Sequence, residues 1–93
     1  MTLPLKTKRG RFHIAYEILS FCKKPKLKTR IMQKCNLSHS GLHEYLNLLI
    51  SHDLLTSFAR KNRKVYQITQ TGFRFITAYE ELTKLLVYKI NRL

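Results

Sequence analysis

The chain has 93 residues, 44% of them hydrophobic, which is enough for one small domain with a single core and leaves little for a second. Eighteen Lys and Arg against five Asp and Glu give a formal charge of +13, so the expected partner is a polyanion. No signal-peptide core follows the basic N-terminus and no run approaches the roughly 20 apolar residues of a membrane span, so the chain reads as a soluble cytoplasmic protein with no membrane partner.

Residues 1–10 combine Lys6, Lys8 and Arg9 with Pro4 and Gly10 and show no sustained period, which describes a disordered basic arm able to track phosphates. From Arg11 to Cys22, the residues Phe12, Ile14, Ala15, Ile18, Leu19 and Cys22 form a helical stripe that must stop ahead of Pro25. Ile31, Met32 and Cys35 mark a second helix from about Leu27 to Cys35. Leu42, Tyr45, Leu46 and Leu49 mark a third from about Ser38 to His52. Between them Asn36-Leu37-Ser38 has turn chemistry. Leu37 fills the corner, and Ser38 is placed to cap the first turn of the third helix with its hydroxyl. This is the layout of a helix-turn-helix.

After Leu55 the period changes. Ser57 to Lys61 and Lys64 to Ile68 are extended in character and separated by Asn62-Arg63, which reads as a β-hairpin. Three helices followed by a basic hairpin make residues 11–71 a winged helix-turn-helix domain, mainly α with a small β-hairpin. Thr69-Gln70-Thr71 then caps a helix expected from Gly72 to Asn91, about 30 Å long at 1.5 Å per residue. Phe75, Tyr79, Leu82, Leu86 and Leu93 follow an alternating four-three spacing, broken at Lys89, that resembles a coiled-coil seam. Phe73, Ile76, Leu85, Val87, Tyr88 and Ile90 lie outside that seam, more apolar surface than one small domain covers. Residues 72–93 are therefore expected to form a dimerisation helix, although a helix folding back on its own core would share much of this pattern.

Charge is segregated along the chain. Residues 1–34 hold ten Lys and Arg and a single acid, Glu17; no Lys or Arg follows until Arg60, after which four fall within five residues. A solvated surface mixes its signs, so two basic clusters bracketing an uncharged-to-acidic helix point to a nucleic-acid footprint. Lys26, Lys28, Thr29, Arg30, Ser38, Arg60, Lys61, Arg63 and Lys64 are the expected phosphate contacts. With the leucines of the third helix facing the core, its outer face carries His39, Ser40, His43, Glu44 and Asn47, the expected base readers. Asn47 suits adenine and Glu44 a cytosine amine. That helix has no Lys or Arg, so bidentate readout of guanine is not available from it. The plain alternative is that these five are ordinary surface residues.

Other chemistries find little support. Cys22 and Cys35 sit on apolar stripes and form no C-x-x-C pair, so core thiols are expected. Cys35, His39 and His43 recur at intervals of four, but the intervening turn breaks the register and no fourth ligand is evident, so no metal is expected. Five scattered acids and the absence of a recognisable triad or phosphate loop argue against an enzyme, a cofactor or a small-molecule substrate.

KTRIM at 28–32, NLS at 36–38, the YL-x-x-L helix at 45–49 and IT-x-TG-x-x-F at 68–75 together resemble the archaeal winged-helix DNA-binding proteins of about ten kilodaltons. The resemblance extends from about Phe12 to Leu93. It implies a chromatin or regulatory role and a long C-terminal helix that forms an antiparallel coiled coil between two subunits. It also implies that Lys28, Thr29 and Arg30 open helix two near phosphates, that Ser38 caps the recognition helix and that Gly72 opens the dimer helix. The function expected is thus binding of double-stranded DNA by a nucleoid-associated homodimer, as transcription regulator or nucleoid organiser. The rival is a protein-docking or RNA-binding module of a larger complex.

Overall fold

The computed structural model describes the backbone of residues 10–92 and the side chains of residues 10–86; the expected arm at 1–9 and the seam residue Leu93 lie outside the described residues. Seven elements follow in order: α1 (Arg11–Phe21), β1 (Lys26–Leu27), α2 (Lys28–Cys35), α3 (His39–Ser51), β2 (Leu55–Arg60), β3 (Arg63–Ile68) and α4 (Gln70–Arg92). The apolar stripes read from the sequence meet in one core. Ala15, Ile18 and Leu19 of α1 pack with Ile31 and Cys35 of α2, Leu42, Leu46 and Leu49 of α3, Leu55, Tyr66 and Ile68 of the sheet and Ile76 of α4.

The sheet has three strands rather than the two of a bare hairpin, in the order β1-β3-β2 and antiparallel throughout. Leu27, expected to open the second helix, and Lys26 before it instead pair with Val65 and Tyr66, and α2 begins at Lys28. Pro25 disfavours helix in the residue before it, and Leu27 stays extended as the N-cap at φ −74° and ψ 150°. A strand of two residues has no period by which a sequence could announce it. β2 also starts two residues earlier than expected, at Leu55. The turn falls at Lys61-Asn62 and not at Asn62-Arg63. Both turn residues have positive φ, 52° and 64°, the signature of the two-residue turn whose twist matches that of the strands.

Helix α1 is joined to the sheet by its last residues. Cys22 closes the helix with its N–H on the carbonyls of Ile18 and Leu19, and its own carbonyl accepts from Ile68 N–H at 2.9 Å. Burial pushes the Cys22 thiol up to about 12, and Cys35 is buried beside it in the same core. A group held neutral so far above its ordinary value supplies almost no thiolate near neutrality. Neither thiol should react with a disulfide reagent at about pH 8 while the chain is folded, and both should react in denaturant, as absorbance of the released thiolate would report. Fast reaction in the native protein would mean that the α1–α2 core opens readily.

Helix α4 starts at Gln70, two residues before the expected Gly72, with Thr69 as its cap. The Thr69 hydroxyl accepts from Gly72 N–H at 3.0 Å and donates to the carbonyl of Asp53, while Thr69 N–H donates to Leu54 O at 3.1 Å. The first half of α4 then lies along α1. Phe12 meets Phe75 edge-on at 6.3 Å, and Tyr16 stacks on Tyr79 at 4.8 Å. The His13 ring nitrogen Nδ1 bonds the Tyr79 hydroxyl at 3.0 Å, and the Tyr16 hydroxyl donates to Glu80 at 2.8 Å. The bond to Glu80 and burial together raise the Tyr16 phenol above its ordinary value. Phe75 and Tyr79, expected from their spacing to face a second subunit, are therefore engaged by α1 of their own chain. Spacing alone does not distinguish a helix of the same chain from one of another.

Candidate nucleic-acid interface

The turn between α2 and α3 is built from backbone outward. Asn36 takes the left-handed conformation (φ 55°, ψ 53°), which its short polar side chain tolerates. Leu37 N–H then reaches Met32 O at 3.1 Å and Asn36 N–H reaches Gln33 O at 3.4 Å, the paired bonds of a Schellman ending. Leu37 packs against the core, as the corner position requires. Ser38 caps α3 through its Oγ, which accepts from Gly41 N–H at 3.0 Å. A Cβ on Gly41 would crowd that same hydroxyl, so the glycine keeps the cap accessible.

Leu42, Leu46 and Leu49 face inward; Ser40, Glu44 and Asn47 lie exposed on the far side of α3 with His43 on its flank, while His39, three and seven residues before Leu42 and Leu46 and so on their side by period, is exposed as the first residue of the helix. The Asn47 amide and the His43 Nε2 sit 3.2 Å apart, so these two side chains are already oriented by one another. Leu48 and Ile50 are exposed on the same helix, adding apolar surface next to the polar readers. No pattern in the sequence connects Arg11 with α3. In the fold the first residue of α1 faces Glu44, Tyr45 and Leu48 across a cleft of about 230 Å³. A guanidinium thus stands at the flank of a helix that has no cation of its own.

Around α3 the expected phosphate contacts divide. Thr29 and Arg30 are exposed on the first turn of α2, where Lys28 is half-buried. Lys26 lies on β1 with its ammonium 4.8 Å from the Phe21 ring centroid, a cation–π contact that holds it near α1. Residues that pair across strands point to the same face, so the register sorts the wing cations. Leu55, Tyr66 and Ile68 face the core. Phe58, Val65, Arg60 and Arg63 therefore face outward, while Lys64 shares the inward face with Tyr66, its ammonium 5.7 Å from that ring. Lys61 occupies the turn itself. Arg60 and Arg63 stand directly opposite one another, and no acid lies between Leu54 and Ile68 to separate them. Like charges in that arrangement destabilise a sheet, and an anionic ligand would relieve the repulsion.

A capped helix held outward by a Schellman turn, with a two-stranded wing beside it and a third short strand closing the sheet, defines a winged helix. The winged helix-turn-helix family matches residues 8–87, and the chain belongs to it. An uncharacterised protein of Methanocaldococcus jannaschii is 31% identical over 80 residues, covering 85% of this chain and 78% of its own length. Among solved structures, Sso10a-2, a DNA-binding protein from Sulfolobus solfataricus, is similar with a TM-score of 0.79 and 27% identity over 90% of each chain. MepR, a transcription regulator of the Staphylococcus aureus multidrug efflux pump MepA, shares the fold with a TM-score of 0.73 at 12% identity, over 96% of this chain and 69% of its own. Among the described residues, no helix is long and apolar enough to cross a membrane.

Proposed function

We propose that this protein binds double-stranded DNA without catalysing a reaction, and that it acts as a homodimer in transcription regulation or nucleoid organisation. The observation that carries the reading is the wing. Arg60, Lys61 and Arg63 project from one hairpin without an ion pair among the described residues, on a domain whose α3 presents an outward polar face. The description of the Sulfolobus relative as a DNA-binding protein supports it. In this arrangement the start of α3 enters the major groove, and His39, Ser40, His43, Glu44 and Asn47 meet base edges there. The wing and the start of α2 hold the flanking phosphates through Thr29, Arg30 and the hairpin cations. Ser38 contributes mainly by aiming the helix, because its hydroxyl is committed to the cap.

Fluorescence anisotropy of a labelled duplex, titrated over a range of salt, tests this. Changing Arg60, Lys61, Arg63 and Lys64 to Ala should weaken binding to all duplex sequences alike and flatten the salt dependence by about 0.9 in logarithmic slope for each phosphate no longer neutralised. The register adds a finer expectation. The Arg60→Ala, Arg63→Ala pair should account for most of the change and Lys64→Ala for little, since Lys64 leans on Tyr66. An unchanged slope in the fourfold variant would place the phosphate contacts elsewhere.

A further inference from the structure

The outward face of the sheet carries more than arginines. The register sets Leu27, Val65 and Phe58 in one row across β1, β3 and β2, on the side away from the helical core. In that row Val65 is 6% exposed and Phe58 40% exposed. Arg60 and Arg63 form the next row on the same face, two residues further along their strands and so about 7 Å away at a rise of about 3.4 Å per residue. The row on the other side of Phe58 is Thr56 and Gln67, with the Gln67 amide bonded to the Lys23 carbonyl at 3.3 Å. Leu27, Phe58 and Val65 belong neither to the core cluster nor to the partly buried side chains packed against it. The face is therefore an aromatic ring on an apolar floor, bordered on one side by two guanidinium groups.

We propose that this face also takes single-stranded nucleic acid, stacking one unpaired base on Phe58 while Arg60 and Arg63, the same pair proposed above to hold duplex phosphates, hold the adjoining phosphates of the single strand. A duplex does not fit the same chemistry. Its bases are covered by their neighbours in the stack, and a B-form minor groove about 6 Å wide admits a hairpin tip but not the flat of a sheet whose strands lie about 4.8 Å apart. An unpaired base has a free π-face, and stacking on an aromatic side chain is the usual way proteins hold single strands irrespective of sequence. The opposed arginines supply the charge complementarity. The site shares its arginines with the duplex-binding wing but includes no residue of α3, so its occupation does not require the helix to read bases.

The chain contains no tryptophan, so Phe58→Trp installs a lone reporter at the site. Titration with a 12-nucleotide oligothymidylate, and in parallel with oligouridylate, should quench the introduced indole to saturation. A duplex of mixed sequence should quench it weakly. In anisotropy titrations of the otherwise unchanged chain, Phe58→Ala should weaken single-strand binding by roughly 5- to 100-fold, the usual effect of losing one stacked base, and leave duplex binding within about twofold. Retention of the wild-type melting curve by Phe58→Ala would show that the effect is local. Single-strand affinity unaffected by Phe58→Ala, or an equal reduction on duplex and single strand, overturns the proposal. Wild-type duplex affinity in the same series reports separately on the reading of the protein as a duplex binder.

Discussion

Replacing Gly72 with alanine should lower the melting temperature by roughly 10–20 °C, equivalent to about 3 kcal/mol of overpacking in a domain of this size. A methyl group at this position would overlap both the carbonyl of Leu54 and the side chain of Ile68, neither of which is a flexible chain end able to swing away. The same residue supplies the N–H that Thr69 caps, so any retreat of the helix would also strain the bonds from Thr69 to Asp53 and Leu54. Helix propensity predicts the opposite sign, since alanine is favoured over glycine by about 0.8–1 kcal/mol in a helix interior. A thermal melt by circular dichroism therefore decides between the two effects by direction alone. A melting temperature that stayed level or rose would show that close packing of α4 on β3 is not what the glycine serves. The family resemblance puts Gly72 at the opening of a dimer helix; in the fold it is a point of closest approach inside one chain.

Leu82→Asp together with Leu86→Asp should convert a dimer to a monomer, with the association constant falling by at least about a hundredfold, since a carboxylate trapped in an apolar interface costs several kcal/mol or must take up a proton. Leu82, Leu85 and Leu86 are 61%, 66% and 58% exposed in the isolated chain, a leucine face on α4 that α1 leaves uncovered. Leu82 also closes a groove lined by Phe12, Phe75, Ala78 and Tyr79, which extends the same apolar surface toward the domain. Light scattering across a concentration series should find the parent chain dimeric and the variant monomeric, with the helical content of the winged domain preserved. A parent chain that remains monomeric at high concentration would remove the basis for the homodimer. Because each subunit contributes its own wing and α3, the monomeric variant should also bind a duplex more weakly than the dimer does.

Much of this fold was legible because its core is made of periodic helices. The stripes Ile18-Leu19-Cys22, Ile31-Cys35 and Leu42-Leu46-Leu49 all reach the core, and Ser38 caps the helix assigned to it. The outward placement of Ser40, His43, Glu44 and Asn47 follows from the same period, because burying the leucines leaves those four away from the core; His39 shares the leucines' side by period and is exposed because it is the first residue of the helix. What the sequence withheld has a common cause in tertiary pairing. β1 is too short for a pattern. The turn at Lys61-Asn62 uses a lysine where glycine or asparagine is the usual signal of positive φ. The cleft that Arg11 lines together with Glu44 joins residues far apart in the chain. The division of the wing cations into outward Arg60 and Arg63 and inward Lys64 depends on register, and a turn misplaced by one residue reverses every face.

The contacts of His13 and Tyr16 with Tyr79 and Glu80 have a mechanical meaning for an assembled pair of chains. Together with Phe12 against Phe75 they fasten α4 to α1 along a little more than one turn, just ahead of the exposed leucines. In a dimer joined through those leucines, α4 is a rigid strut, and its length and rotation set where the two α3 helices stand. Each residue of an α-helix advances the chain by about 1.5 Å and turns it by about 100°. Spacing and angular phase between the two recognition surfaces are then fixed together. Such a molecule measures the distance along the duplex between the places it touches, and it accepts sites according to the face of the double helix on which they fall.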